Sequence, residues 1–167
     1  MTSLRTVQVL LITAAAAFGT LQLLPGPPHI NPVLQPGASI EEQLHPPRGV
    51  LAVLQRSCEN CHSSRTEWPL YSRIAPVSWT IARDVEKARR AMNLSEWGTR
   101  IAPKPYRAIG LLTASCAGLQ SGRMPKPGYV LLHPEARVSP AEIVDFCEWS
   151  HAEVRRIATA KRGSWYP

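Results

Sequence analysis

Ser57-Cys58-Glu59-Asn60-Cys61-His62-Ser63-Ser64 is the stretch from which the rest of the chain is read. Two cysteines separated by two residues, with a histidine directly after the second, have few chemical uses. Thiols at this spacing reach the two vinyl groups of one porphyrin, and the next histidine falls beneath the iron as an axial ligand. The pattern therefore reads as c-type haem attachment. A structural zinc ion wants four ligands, and Cys116 and Cys147, the other two of the four cysteines, lack the spacing of a second knuckle. A thioredoxin-like site wants a βαβ setting, which the pattern does not offer. The expectation is one covalent haem c on Cys58 and Cys61, with His62 on the iron.

Upstream of the motif, Gly49–Ser57 reads as a short helix with Val50, Leu51, Val53 and Leu54 as its apolar positions. Before it, residues 25–47 hold seven of the sixteen prolines and few large apolar side chains. Such a stretch favours extended, polyproline-like backbone and is expected to be a tether, with one short turn at Glu41, Glu42 and Leu44. Further back, Val7–Leu24 is apolar and carries no Asp, Glu, Lys or Arg. At about 1.5 Å per residue it spans roughly 27 Å, close to the hydrocarbon thickness of a bilayer. Arg5 precedes it and no Lys or Arg follows until Arg48, so the positive-inside rule leaves the start in the cytoplasm and exports the rest. A cleaved signal peptide using the Ala14–Ala17 run is the rival reading, and it exports the same chain. The expected place is thus the inner membrane of a bacterium, with the haem domain on the periplasmic side.

Downstream, Trp79–Met92 is a helical run with Ile81, Val85 and Ala88 apolar against a charged face, and Lys104–Gln120 is another. The last helix has the clearest start in the chain. Ser139-Pro140-Ala141-Glu142 offers an N-cap serine, a proline at the first helical position and a glutamate to close a capping box, and the helix should run to about Ala160. No useful length of strand alternation appears, and the prolines would interrupt a sheet. The fold class is all-α, a helical domain behind an N-terminal transmembrane helix. The expected divisions are 1–24 anchor or uncleaved signal, 25–47 tether, 48–160 haem domain and 161–167 tail. Cys116 and Cys147 fall on two of these helices, and in an oxidising compartment they are expected to form a disulfide, the alternative being two buried thiols.

The sixth iron ligand has four candidates: Met92, Met124, His133 and His151. Met92 lies in a helical run and suits core packing. Met124, in Gly122-Arg123-Met124-Pro125-Lys126-Pro127-Gly128, lies in a stiff loop able to offer a thioether without helix constraints, and is preferred over His133. Methionine beside histidine raises the potential and closes the site, as electron transfer wants. The net charge of +7 and pI near 9.7 come without any helix-turn-helix, zinc-finger or aromatic RNA-binding pattern, so nucleic acid is not expected as a partner. A basic docking face for another protein, or plain solvation, is the better reading.

Taken together, several stretches resemble a family of small haem-binding-domain proteins with an N-terminal membrane segment and a cytochrome c-like fold. They are Cys58–Ser64, Trp68-Pro69-Leu70-Tyr71, Ile74-Ala75-Pro76-Val77-Ser78-Trp79, Asn93-Leu94-Ser95-Glu96-Trp97, Met124-Pro125 with Tyr129, and His133–Arg137. The likeness covers about Pro46 to Trp149, with no departure at the motif positions. It implies haem c on Cys58 and Cys61, with His62 and Met124 as axial ligands. Trp68, Tyr71, Arg73 and Trp79 are candidate haem surroundings, with Arg65 and Arg73 able to neutralise propionates; core packing and solvation are their alternatives.

The expected function is an electron carrier rather than an enzyme: a membrane-anchored monohaem cytochrome passing single electrons between redox proteins, or fixed as a subunit of a membrane complex. A gas or redox sensor, or a peroxidase-like enzyme with a labile sixth ligand, is the alternative.

Overall fold

The computed structural model describes Thr2–Gly163 and is all-helical, with no strand among the described residues. The expected tail, 161–167, falls largely outside them, and the last helix continues to Gly163. The helices are α1 (Thr2–Leu23), α2 (Ile40–Leu44), α3 (Arg48–Val53), α4 (Glu59–His62), α5 (Val77–Ala91), α6 (Pro105–Gln120), α7 (Pro127–Leu132) and α8 (Pro140–Gly163). The chain divides into two units. Unit 1 takes the segment up to Ile30 together with Glu67–Lys87, and unit 2 takes Asn31–Thr66 with the chain from Ala88 onward.

In unit 1, α1 is long and apolar enough to cross a membrane over Ser3–Leu23. Two of its hydroxyls are satisfied within the helix, Thr13 Oγ1 donating to the Val9 carbonyl at 2.8 Å and Thr20 Oγ1 to Ala16 at 2.9 Å, as an apolar solvent would require. Near its end the Gln22 amide engages both backbone groups of Ala75: Nε2 donates to the carbonyl at 3.1 Å, and Oε1 accepts the Ala75 N–H at 2.9 Å. Gly26 lies so close to Trp79 that a Cβ there would sit 2.7 Å from the indole Cδ1, so only glycine fits. His29 meets the Trp68 ring edge-on, centroids 4.5 Å apart.

Unit 2 holds one core, in which Trp97, Phe146, Leu94, Ile101, Leu112 and Val53 are almost fully buried. α6 and α8 pack along each other and carry Cys116 and Cys147, which pair at disulfide distance with Cα atoms 5.0 Å apart. Ser150 Oγ on α8, fully buried, donates to the Leu112 carbonyl on α6 at 2.9 Å. The N-cap Ser139 and Glu142 exchange hydrogen bonds as the capping box predicts. A second box, Ser39 with Glu42, starts α2 and carries Ile40 into the core. Part of the stretch expected as tether is therefore packed structure.

The helix before the haem motif is not regular. α3 passes through a π-type turn, Leu54–Cys58, before α4. One wide turn re-aims everything that follows, which is why such turns collect at functional sites. Arg56 in this turn donates to the Glu135 carbonyl at 3.0 Å and pairs with Glu142 at 2.7 Å, tying the turn to the start of α8.

Two stability outcomes are expected. Replacing Cys116 and Cys147 together by alanine opens a crosslink spanning 31 residues and should lower unfolding free energy by about 3 kcal/mol in a urea titration. The Glu142 carboxyl is held below its usual range by the Ser139 backbone and hydroxyl and by Arg56. A depressed folded-state value gives stability that is present above the unfolded carboxylate range, near pH ~4.3, and is lost as pH falls through the folded value. Glu142→Gln should thus be less stable than the parent at neutral pH, by no more than about 1 kcal/mol for so open a site, with the gap closing in acid.

Candidate haem site

Cys58, Cys61 and His62 lie on the turn and short helix that end the α3–α4 run. Both cysteines are half-buried, and neither enters the disulfide. Burial, then the charges of Glu59 and Cys61, push the Cys58 thiol up to about 12, so in the closed fold it is protonated at neutral pH and a poor nucleophile.

His62 is the best-determined group. Its Nδ1 lies 3.1 Å from the Met92 carbonyl oxygen. A carbonyl only accepts, so Nδ1 carries the proton and Nε2 keeps its lone pair. Burial lowers the imidazole pKa, against the backbone carbonyls of Met92 and Ala88, and keeps the ring neutral. A neutral imidazole with one nitrogen tied to a carbonyl and the other free to donate electrons is what a metal ligand requires. The donor set thus fits a haem: two thiols at vinyl spacing and a pre-oriented nitrogen ligand at the end of α4. Ser57 Oγ, buried directly before Cys58, has no partner among the described residues.

The backbone after His62 leaves the helix, and polar side chains complete its hydrogen bonding. Arg89 Nε donates to the Ser63 carbonyl at 2.7 Å, and its Nη2 to Thr66 Oγ1 at 2.7 Å and Asn31 Oδ1 at 2.6 Å. Thr66 Oγ1 in turn donates to the Asn60 carbonyl at 2.8 Å. The Ser64 N–H donates to Ser95 Oγ at 3.1 Å, and Asn93 Nδ2 to Ser64 Oγ at 3.3 Å. These residues were missed as site-builders from sequence. Ser63-Ser64 and Asn93-Leu94-Ser95 stood in the recognised stretches, but their burial was not readable.

Met124 follows the end of α6. Gly122, at φ 65°, makes the left-handed turn that glycine allows, and the Gly118 carbonyl accepts from the N–H groups of both Arg123 and Met124 at 3.1 Å. The Met124 side chain is 43% exposed. The segment just beyond it is tied to the haem motif: Asn60, between the two cysteines, donates through Nδ2 to the Tyr129 hydroxyl at 3.0 Å. The Tyr129 ring stacks on His133 at 4.3 Å, and His133 Nδ1 lies 3.0 Å from Glu135. Met92 is packed against the core, with Ser115 Oγ 3.8 Å from its sulfur, matching its core assignment. Trp68, Tyr71, Arg73 and Trp79 all belong to unit 1, where Trp68 meets His29 and Trp79 meets Gly26. Arg65 reaches Glu59 at 3.8 Å.

An all-helical chain in which a half-buried neutral histidine, held by a carbonyl, follows two half-buried cysteines defines a helical haem-binding protein. The model of the haem-binding domain family matches residues 16–152, and the chain belongs to that family. The match begins inside α1 and takes in the proline-rich stretch as well as the recognised motifs. No curated protein and no solved structure matches the chain.

Tyr129→Phe keeps the ring on His133 and deletes only the hydroxyl that Asn60 reaches. It should cost about 1 kcal/mol of unfolding free energy, and in a double-mutant cycle with Asn60→Ala the two losses should not add.

Proposed function

We propose that this protein is a membrane-anchored monohaem c-type cytochrome that carries single electrons between redox proteins. The observation that supports the reading most is the His62 arrangement, a neutral imidazole held through Nδ1 with Nε2 left to bind iron. Cys58 and Cys61 would hold one haem by thioethers, and His62 and Met124 would be its axial ligands. The bound group supplies a one-electron iron couple, and the chain's task is to hold it with little rearrangement between oxidation states. His62 is fixed by the Met92 carbonyl, the motif by Arg89 and Thr66, and the Met124 loop by Gly118 at one end and Tyr129 at the other. A thioether ligand would keep the potential high and the iron closed to small molecules. No reaction needs a further acid or base here, so a carrier rather than an enzyme is the role inferred. α1 would remain in the inner membrane and the haem domain would face the periplasm, meeting redox partners or neighbouring membrane subunits.

The optical spectrum of the reduced, haem-loaded protein, taken with and without carbon monoxide, tests this. The expected result is a low-spin c-type spectrum that the gas leaves unchanged, and a Met124→Ala variant that does bind the gas. A parent protein that binds carbon monoxide readily would refute the closed carrier and favour a sensor or a peroxidase-like enzyme. Haem removed by acid–organic extraction would refute covalent attachment.

A further inference from the structure

The α1 segment that is apolar enough to span a membrane has 21 residues, about 31 Å of helix, which leaves no surplus over a hydrocarbon core of about 30 Å. Its last turn must then lie at the edge of the bilayer. That turn carries Gln22, whose side chain grips both backbone groups of Ala75. Whatever flanks Ala75 is consequently held within one side-chain length of the membrane boundary. Along this segment large apolar residues are turned outward: Ile74 and Val77, within two residues of Ala75, are 45% and 49% exposed, and Leu70, one short turn earlier, 81%. Exposed apolar residues in this density mark an interaction surface. Arg73, exposed between them, has the chemistry to meet lipid phosphate, and Trp79, against Gly26 just beyond α1, is of the residue type that collects at membrane interfaces.

We propose that the loop Leu70–Val77 is a second membrane contact. Leu70, Ile74 and Val77 insert into the headgroup–acyl boundary beside α1, and the Gln22–Ala75 clamp joins the inserted loop to the spanning helix. The bilayer is the one occupant that follows from this placement, since the same clamp that positions the loop belongs to the helix that defines the boundary. This inference rests on the reading of α1 as a retained anchor. Unit 1 then acts as a rigid foot on the membrane surface, rather than a single helix from which the chain hangs.

The test uses the full-length, haem-loaded protein in phosphatidylcholine–phosphatidylglycerol vesicles containing a diazirine-bearing phospholipid, with carbene insertion located by tryptic mass mapping. The peptides 66–73 and 74–83 separate the two halves of the loop, 6–48 reports α1, and 124–137 carries the exposed Leu131 and Leu132 as an apolar comparison. Labelling of 6–48, 66–73 and 74–83 severalfold above 124–137, and its loss from the loop in Leu70→Ser/Ile74→Ser, is the expected result. Labelled 6–48 with the loop no higher than 124–137 would overturn the proposal and leave the anchor standing. A loop labelled neither by the lipid nor by a water-soluble diazirine would mean that haem or protein covers it, which also overturns the proposal. Unlabelled 6–48 would remove the anchor itself, and the inserted loop with it.

Discussion

The hydrogen bond from His62 Nδ1 to the Met92 carbonyl is the constraint on which the site depends. It selects the tautomer, holds the ring and leaves Nε2 with the lone pair that a metal ligand needs. It can do this only if the Met92 carbonyl is itself fixed. Met92 lies one residue beyond α5, and its N–H donates back to the Ala88 carbonyl at 2.9 Å. Arg107, from the first turns of α6, donates to the Ala91 carbonyl at 3.1 Å and the Arg90 carbonyl at 3.4 Å, capping carbonyls that the end of a helix leaves without partners. Asn93 then accepts from the Ser95 N–H at 3.1 Å and starts the next turn. The histidine is positioned by a helix terminus whose every neighbour is tied.

Burying a non-helical segment incurs a second requirement. Ser63, Ser64 and Thr66 are nearly inaccessible, yet their backbone lies outside regular structure, so its polar groups need partners from side chains. Ser95, Arg89 and Asn31 supply them, and Asn93 holds the Ser64 hydroxyl. A cluster of this kind is expensive to leave half-satisfied, and that explains why small hydroxyl and amide residues, rather than leucines, surround the histidine.

Much of this architecture was legible because its signals are local. CxxCH pointed to haem by spacing alone, and the family match agrees on haem binding. The Ser139–Glu142 capping box and the helices expected over 79–92 and 104–120 follow from side-chain period and cap chemistry, and the structure begins the latter two at Val77 and Pro105. The Ser39–Glu42 box has the same serine–glutamate spacing and was available, but the surrounding prolines made the stretch look like a tether. The π-type turn at Leu54–Cys58 left no trace, because a one-residue widening is set by what Arg56 and Leu54 pack against and not by propensity. The polar cluster was hidden for the same reason: serine and asparagine look like solvent-facing residues until tertiary structure buries them.

The Met124 loop shows what stiffness contributes to such a site. A methionine has three rotatable bonds and would lose much of its freedom on binding iron. In the proposed reading the backbone's share of the ordering, though not the side chain's, is met before any ligand arrives. The loop leaves α6 through the single left-handed turn at Gly122, takes two hydrogen bonds on the Gly118 carbonyl, passes through Pro125 and enters α7 at Pro127. Proline fixes φ at two of its positions, and Tyr129 ties the far end to Asn60 within the haem motif. Only the side-chain torsions of Met124 remain free. The position of Met124 is therefore coupled to the CxxCH motif by backbone and one hydrogen bond, so under the proposed function the chain's own geometry would present the thioether to a bound haem.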